Sequence, residues 1–168
     1  MCIVCVLLMT NPDIIVLFDI DNTLFNTTKF KESEHSLFEL YEEVEEILET
    51  IAKVATLGIF SQGEVAFQKK KLEETNIARY FFEEHTHIVQ YKLEVMKEVF
   101  EKYKSKAKIY FIDDWLDSLR LAKEAEPSVF TIWMKRGEYV ASQEQQISFK
   151  PDAAGKNLQE IIPLIKNN

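Results

Sequence analysis

Two carboxylates, Asp19 and Asp21, follow directly on the apolar run Val16-Leu17-Phe18 with a single residue between them. Removing an ionised carboxylate from water is costly unless it is paired or holds a metal, so a buried strand has no structural use for two. Side chains two residues apart on an extended chain return to the same face, which lets this pair converge on one group. Thr23 follows at the same spacing. Further along stand Ser61-Gln62-Gly63, then Lys92, then Asp113-Asp114 with Asp117 close behind. Taken singly, each has a plain alternative. The Asp pair could cap the next element, Ser61 could serve a turn, and Lys92 could be a surface lysine with Lys97 as the nearest substitute.

The elements around these residues decide how they are placed. Ile14 to Phe18 reads as a fully buried strand, continuous in apolar residues as parallel strands are. Residues 28–54 have a helical pattern, with Phe38, Tyr41, Val44, Leu48 and Ile51 at spacings of three and four and Glu on the other face. A second strand, "ATLGIF", runs into Ser61-Gln62-Gly63. A helix over Glu64 to Glu74 and a strand "HTHIV" follow. Helix from Lys92 to about Tyr103 leads to the strand "KIYFIDD", which again ends in paired carboxylates. Leu116 to Ala125 reads as a helix, "SVFTIWM" as a strand, and Leu158 to Ile165 as a closing helix. Strands alternating with helices predict a single α/β domain, a parallel Rossmann-like sheet with helices on both faces. Ligands bind such sheets beyond the carboxyl ends of the strands, where Asp19, Asp21, Ser61 and Asp113 fall.

The four features, in this order, resemble the four motifs of the haloacid dehalogenase (HAD) superfamily of phosphohydrolases, over roughly residues 13–135. A lone D-x-D is weak; D-x-D-x-T after an apolar strand, with three further motifs in order, is specific. The resemblance implies that Asp19 is a nucleophile that splits phosphomonoester cleavage into two steps through an aspartyl-phosphate. It makes Asp21 the general acid/base and implies a magnesium ion (Mg2+), a hard cation suited to carboxylates, water and phosphate. The ion's ligands would be Asp19, the backbone carbonyl of Asp21, and Asp113, with Asp114 or Asp117 acting directly or through water. Ser61 and Gln62 would contact the phosphate, and Lys92 would place a fixed positive charge against the transition state. Thr23 and Asp117 would support the site. Two departures stand out: Leu93 follows Lys92 where the family often has proline, and Ile112 precedes Asp113 where many relatives have glycine. Response-regulator receivers use similar residues in a different order, with the acidic pair first and lysine last, which this sequence does not follow.

HAD enzymes recognise substrate with caps inserted after the first or second motif. Here residues 24–40 leave room for one or two short helices, and Gly63 to Lys92 holds one helix and one strand with no room for a cap, so a minimal cap and an open site are expected. That disfavours a sugar-phosphate mutase, whose full cap excludes water. Asp21 disfavours a dehalogenase proper, which lacks a second carboxylate. The expected substrate is a small phosphorylated metabolite, a nucleotide or sugar phosphate among the candidates. Phosphotransfer through the same intermediate and a catalytically quiet binding protein are the alternatives. Phe25, Phe30 and the "WMKRGEY" loop are read as packing more than as recognition.

Composition sets the outer limits. The chain has 168 residues with 46% hydrophobic and 29% charged, enough for one cored domain. A net charge of -8 excludes stable general nucleic-acid binding, which draws its affinity from Lys and Arg. The basic runs Lys69-Lys70-Lys71 and Lys102, Lys104, Lys106, Lys108 read as solvated helix faces or ends. "MCIVCVLLM" is too short to span a bilayer and lacks a signal peptide's positive flank, so no membrane association and a cytoplasmic location are expected. Met1 to Leu8 reads as an upstream extension or added edge strand, with Met9 a plausible start. Cys2 and Cys5 have C-x-x-C spacing but no second ligand pair, and they fit a reducing compartment. His35, His85 and His87 lie outside the motifs and are expected to be surface or satisfied residues.

Overall fold

Alternate residues of β1 (Ile14–Phe18) enter two different cores. Ile14, Val16 and Phe18 join one cluster, and Ile15 and Leu17 join the other. A strand apolar on both faces is the signature of a central parallel strand. In a computed structural model, which describes residues 14–166, β1 is indeed central. The other strands are β2 (Thr56–Gln62), β3 (Thr86–Val89), β4 (Lys108–Asp113), β5 (Phe130–Met134) and β6 (Ala153–Gly155). They form one sheet in the order β3-β2-β1-β4-β5-β6, with every pairing parallel. The expected Rossmann-like α/β sheet is therefore present.

Helices cover both faces. The helices are α1 (Thr27–Glu32), α2 (Val44–Ile51), α3 (Val65–Glu74), α4 (Lys92–Glu101), α5 (Leu116–Ala125), α6 (Val140–Gln146) and α7 (Ile162–Lys166). On one face α2 contributes Val44, Ile47, Leu48 and Ile51, and the chain's end adds Leu158, Ile161 and Ile165. On the other, α4 supplies Met96, Val99 and Phe100, and α5 supplies Leu116, Leu119 and Ala122. Register aligns the strand ends that matter. Phe18 lies opposite Ile112 of β4 and Ile59 of β2, so Asp19 emerges level with Asp113 and one step short of Ser61.

Residues 28–54 do not form the long helix that their spacing predicts. α1 ends at Ser33, whose hydroxyl donates to the Phe30 carbonyl, and Glu34 and His35 then take left-handed φ of 54° and 66°. Left-handed backbone cannot continue a right-handed helix. The chain runs on without helix until α2, bridging Leu40 to Phe25 and donating from the Tyr41 amide to the Leu24 carbonyl. Phe38 is still tucked in, against the rings of Phe25, Phe30 and Phe67. Its apolar character reflects a loop folded onto the core. Strand β6 and helix α6 carried no usable pattern. β6 has three residues, and its place beside β5 is secured when Asp152 accepts from the Thr131 amide and hydroxyl at 2.8 and 2.9 Å.

Met1 to Leu8, the start at Met9, and Cys2 and Cys5 lie outside the described residues. No helix among the described residues is long and apolar enough to cross a membrane. Lys102, Lys104, Lys106 and Lys108 are exposed, as expected, but Lys71 is not: it is buried, with only 5% of its surface exposed.

Candidate active site

The chain leaves β1 in a tight coil that no ordinary strand exit requires. The Ile20 carbonyl accepts from the amides of Thr23, Leu24 and Phe25, and the Asn22 amide donates back to the Phe25 carbonyl. Asn22 takes a left-handed φ of 54°, which asparagine tolerates better than most residues. Gly137 closes over it so tightly that a Cβ would sit 2.9 Å from the Asn22 side chain. From below, Arg136 donates to the Thr23 carbonyl at 2.8 Å and the Lys156 carbonyl at 2.9 Å, and pairs with Glu43. This coil fixes where Asp19 and Asp21 point.

Lys92 stands between two carboxylates. Its Nζ lies 2.7 Å from Asp19 Oδ1 and 2.7 Å from Asp113 Oδ2, and all three residues are buried. Lys97, the substitute, is exposed. Gln62 holds the lysine's helix in place, because its Oε1 accepts the Lys92 amide at 3.0 Å and so caps α4. That bond commits the Gln62 carbonyl oxygen to the scaffold. Asp113 is fixed further by the Trp115 amide on Oδ1 and the Ser118 hydroxyl on Oδ2, both at 2.8 Å. Asp114 accepts from Asn22 Nδ2 at 3.1 Å, and its backbone carbonyl takes the Trp133 indole and the Gln143 amide.

Oxygens of Asp19, Asp113 and Asp114 lie within 4.8 Å of one another. With Lys92 as the one ammonium among them, two negative charges go unmatched. Burial, then the charges of Asp113 and Asp19, push the Asp114 carboxyl up to about 9. Burial likewise pushes Asp19 up to about 7, with Asp113 and Asp21 adding to it and Lys92 opposing. Burial pulls Lys92 down, but Asp113 and Asp19 outweigh it and leave the ammonium raised. Asn22 Oδ1 and Thr23 Oγ1 are buried without a hydrogen-bond partner. A pocket of hard oxygen donors short of positive charge fits a divalent cation such as magnesium. Asp19, Asp113 and Asp114 would hold it.

Asp117 does not join this cluster. It lies along the wall of the cavity, but α5 begins at Leu116 and turns its carboxylate toward Arg120, 2.7 Å away. Of the two candidates for the third acidic position, Asp114 is the one brought to Asp19 and Asp113. Ser61 is fully buried at the end of β2, with Gln68 Nε2 3.4 Å from its hydroxyl. A cavity of about 350 Å³ is lined by Asp19, Asp21, Gln62, Lys92, Asp113 and Asp114, with exposed Leu93 and Trp115 also in its wall, whereas Ser61 does not line it. Phe25 and Phe30 are buried in packing, and the three histidines are engaged elsewhere. His35 lies edge-on to Phe30, while His85 and His87 flank the Tyr103 hydroxyl at 3.2 and 2.7 Å.

The surprise is Asp21. Burial pushes its carboxyl up, but the charge and hydrogen bonds of Lys71, with bonds from Gln68 and Thr27, bring it below the ordinary value. Neither Lys71 nor Gln68 stands out in the sequence, where Lys71 ends a run of three lysines. The available signal is the spacing of Gln68, Lys71 and Leu72, the three buried residues of α3, which marks its inward face.

No family model and no curated protein matches the sequence. Solved structures do. A protein from Burkholderia xenovorans assigned as a haloacid dehalogenase-like hydrolase superposes with a TM-score of 0.75 at 18% identity, over 92% of this chain and 97% of that one. The chain has the haloacid dehalogenase-like fold. A protein from Clostridium difficile assigned as a phosphatase gives a TM-score of 0.69 at 18% identity, over 93% of this chain and 100% of its own. A protein from Bacillus subtilis assigned as a HAD-hydrolase, solved with magnesium bound, gives 0.68 at 13% identity, over 92% and 99%.

Proposed function

We propose that this chain is a magnesium-dependent phosphatase that hydrolyses a phosphomonoester through an aspartyl-phosphate on Asp19. The observation that carries this is the buried triad in which Lys92 bridges Asp19 and Asp113 at 2.7 Å each, with Asp114 alongside. A structural ion pair has no need of three carboxylates around one ammonium, since uncompensated buried charge is destabilising. A site that must receive a cation and a phosphate dianion does need them.

In the first step a carboxylate oxygen of Asp19 bonds to phosphorus as the bond to the leaving oxygen breaks, and Asp21 gives its proton to that oxygen. In the second, Asp21 takes a proton from water, whose oxygen attacks phosphorus and expels Asp19, releasing inorganic phosphate. Lys71 keeps Asp21 in the carboxylate form that the second step uses. A phosphate dianion arriving beside it opposes that charge and favours the acid form that the first step uses. Magnesium held by Asp19, Asp113 and Asp114 would neutralise charge between nucleophile and substrate. Lys92 contributes a fixed positive charge at the same place, and Ser61 a hydroxyl for a phosphoryl oxygen.

Residues 24–40 serve as the minimal cap. They contain one short helix, α1, and between Gly63 and Lys92 there is only α3, two turns and β3. An open cavity with Leu93 and Trp115 in its wall suits a small metabolite, such as a nucleotide or sugar phosphate, in the cytoplasm. A panel of phosphate esters with magnesium, with and without chelator, tests the proposal. Metal-dependent phosphate release that Asp19→Asn abolishes is expected. No release from any ester, or more than about a tenth of the rate surviving in Asp19→Asn, would refute it.

A further inference from the structure

Each oxygen of Asp21 accepts two hydrogen bonds. Oδ1 takes the Thr27 hydroxyl at 2.7 Å and Lys71 Nζ at 2.7 Å; Oδ2 takes Gln68 Nε2 at 2.8 Å and Lys71 Nζ at 2.8 Å. The ammonium that sits across both oxygens is itself buried, 5.1 Å from the Phe25 ring centroid and 4.7 Å from that of Phe67. Asp21 is the one carboxylate paired with it among the described residues. A buried ion pair of this kind rarely adds stability over an apolar pair of the same volume, so holding α3 to the sheet does not account for it. What it does supply is orientation. The donors come from two separate elements, α1 and α3, and together they fix the plane of the carboxylate, one of the four bonds opening when Asp21 carries a proton.

We propose that Lys71 is a positioning residue for the phosphatase reaction: with Gln68 and Thr27 it aims the Asp21 carboxylate at the oxygen of the leaving group. This rests on the reading of Asp21 as acid and base. Thr27 lies in the cap segment, so the same clamp ties the cap's one short helix, α1, to the reacting group. Displacing a reacting group by about 1 Å can cost around a hundredfold in rate, and proton transfer is the step with that sensitivity here.

The test compares two esters, an alkyl phosphate whose leaving oxygen needs a proton and a nitrophenyl phosphate whose leaving oxygen does not. Lys71→Met should lower the pre-steady-state rate of leaving-group release from the alkyl ester by about 10²-fold and that from the nitrophenyl ester by less than about tenfold, because the esters differ only in the first step. Thr27→Val, which leaves the ion pair in place and keeps the variant folded, should shift the ratio of the two rates the same way by about threefold or more. The double variant Asp21→Asn, Lys71→Met should be no slower than Asp21→Asn alone on either ester, because the lysine acts only through Asp21. A merely structural lysine would depress both esters together and add its loss to that of Asp21→Asn. Either result would overturn the inference, as would faster alkyl-ester turnover in Lys71→Met. If the unmodified protein hydrolyses neither ester with magnesium, the phosphatase proposal fails and takes the inference with it. If it hydrolyses both and the ratio does not move in either variant, only the inference fails.

Discussion

Replacing Lys92 by Met keeps the length and apolar stem of the side chain but takes the ammonium from between Asp19 and Asp113, each 2.7 Å away. At an effective dielectric of about 20, each of these contacts is worth roughly 5–6 kcal/mol of attraction. Desolvation of the buried groups offsets most of that, and deleting one member of a buried pair costs about 3–5 kcal/mol net. A chain of this length loses ~2–4 °C of melting temperature per kcal/mol, so the metal-free variant should melt ~6–20 °C below the unmodified protein. Magnesium held by Asp19, Asp113 and Asp114, as proposed, would supply positive charge to the same pocket, so adding it should narrow that gap. Thermal melts in chelator and in magnesium read both effects. The rate should fall by at least about 10²-fold if the missing charge is, as proposed, the one set against the transition state. A variant melting within ~2 °C of the parent in both buffers would refute the assignment of Lys92 as the counter-charge of this pocket.

Asp114→Asn should weaken magnesium binding by about tenfold or more, measured by calorimetric titration, whereas Asp117→Asn should change it by less than about threefold; the reverse order would put Asp117 in the site. Arg136→Met should destabilise the fold by about 3 kcal/mol in a denaturant titration, because it leaves Glu43 with only the Leu158 amide and takes the Arg136 donor from the Thr23 carbonyl. Burial, then Lys102 and His85, pull His87 down to about 4. The unfolded chain therefore binds the extra proton between about pH 6.5 and 4, and stability falls as pH drops through that window. With a discount for the partial exposure of His87, its share is roughly 1–2 kcal/mol. His87→Gln should flatten that part of the stability–pH curve, and an unchanged slope would show that another group is responsible.

The residues legible in the sequence are those whose positions depend on a strand ending. Asp19 and Asp113 follow long apolar runs that can only be buried strands, and parallel register then brings them level. Lys92 follows because α4 must start where β3 ends. Periodicity misled where a loop packs as well as a helix does: Phe38 and Tyr41 fit a helical spacing, yet the left-handed turn at Glu34 and His35 breaks it. It also misled where charge hid burial. Three consecutive lysines look like a wet helix face, and only the position of Lys71 beside Gln68 and Leu72 tells it from its neighbours, Lys69 on Glu83 and Lys70 over Phe38. Asp117 lines the cavity but faces Arg120 and not the acidic cluster, since a residue in the first turn of α5 points where that helix points it.

Those hidden contacts share a logic. Along the exit from β1, alternate residues are each gripped by a different buried cation: Asp19 by Lys92, Asp21 by Lys71, and the Thr23 carbonyl by Arg136. The three cations come from α4, α3 and the loop after β5, elements distant from one another in sequence but neighbours around one strand end. Each is costly to bury alone, and each finds its partner only when the sheet is assembled in register. A slip of β1 by one residue would carry Asp19 and Asp21 away from Lys92 and Lys71 and strand both ion pairs at once. The chemistry of the site thus penalises misregistered folds more heavily than apolar packing does, since Val16, Leu17 and Phe18 would be buried on either face. Placing the two carboxylates at alternate positions lets one short segment specify both the geometry of the proposed site and its own register.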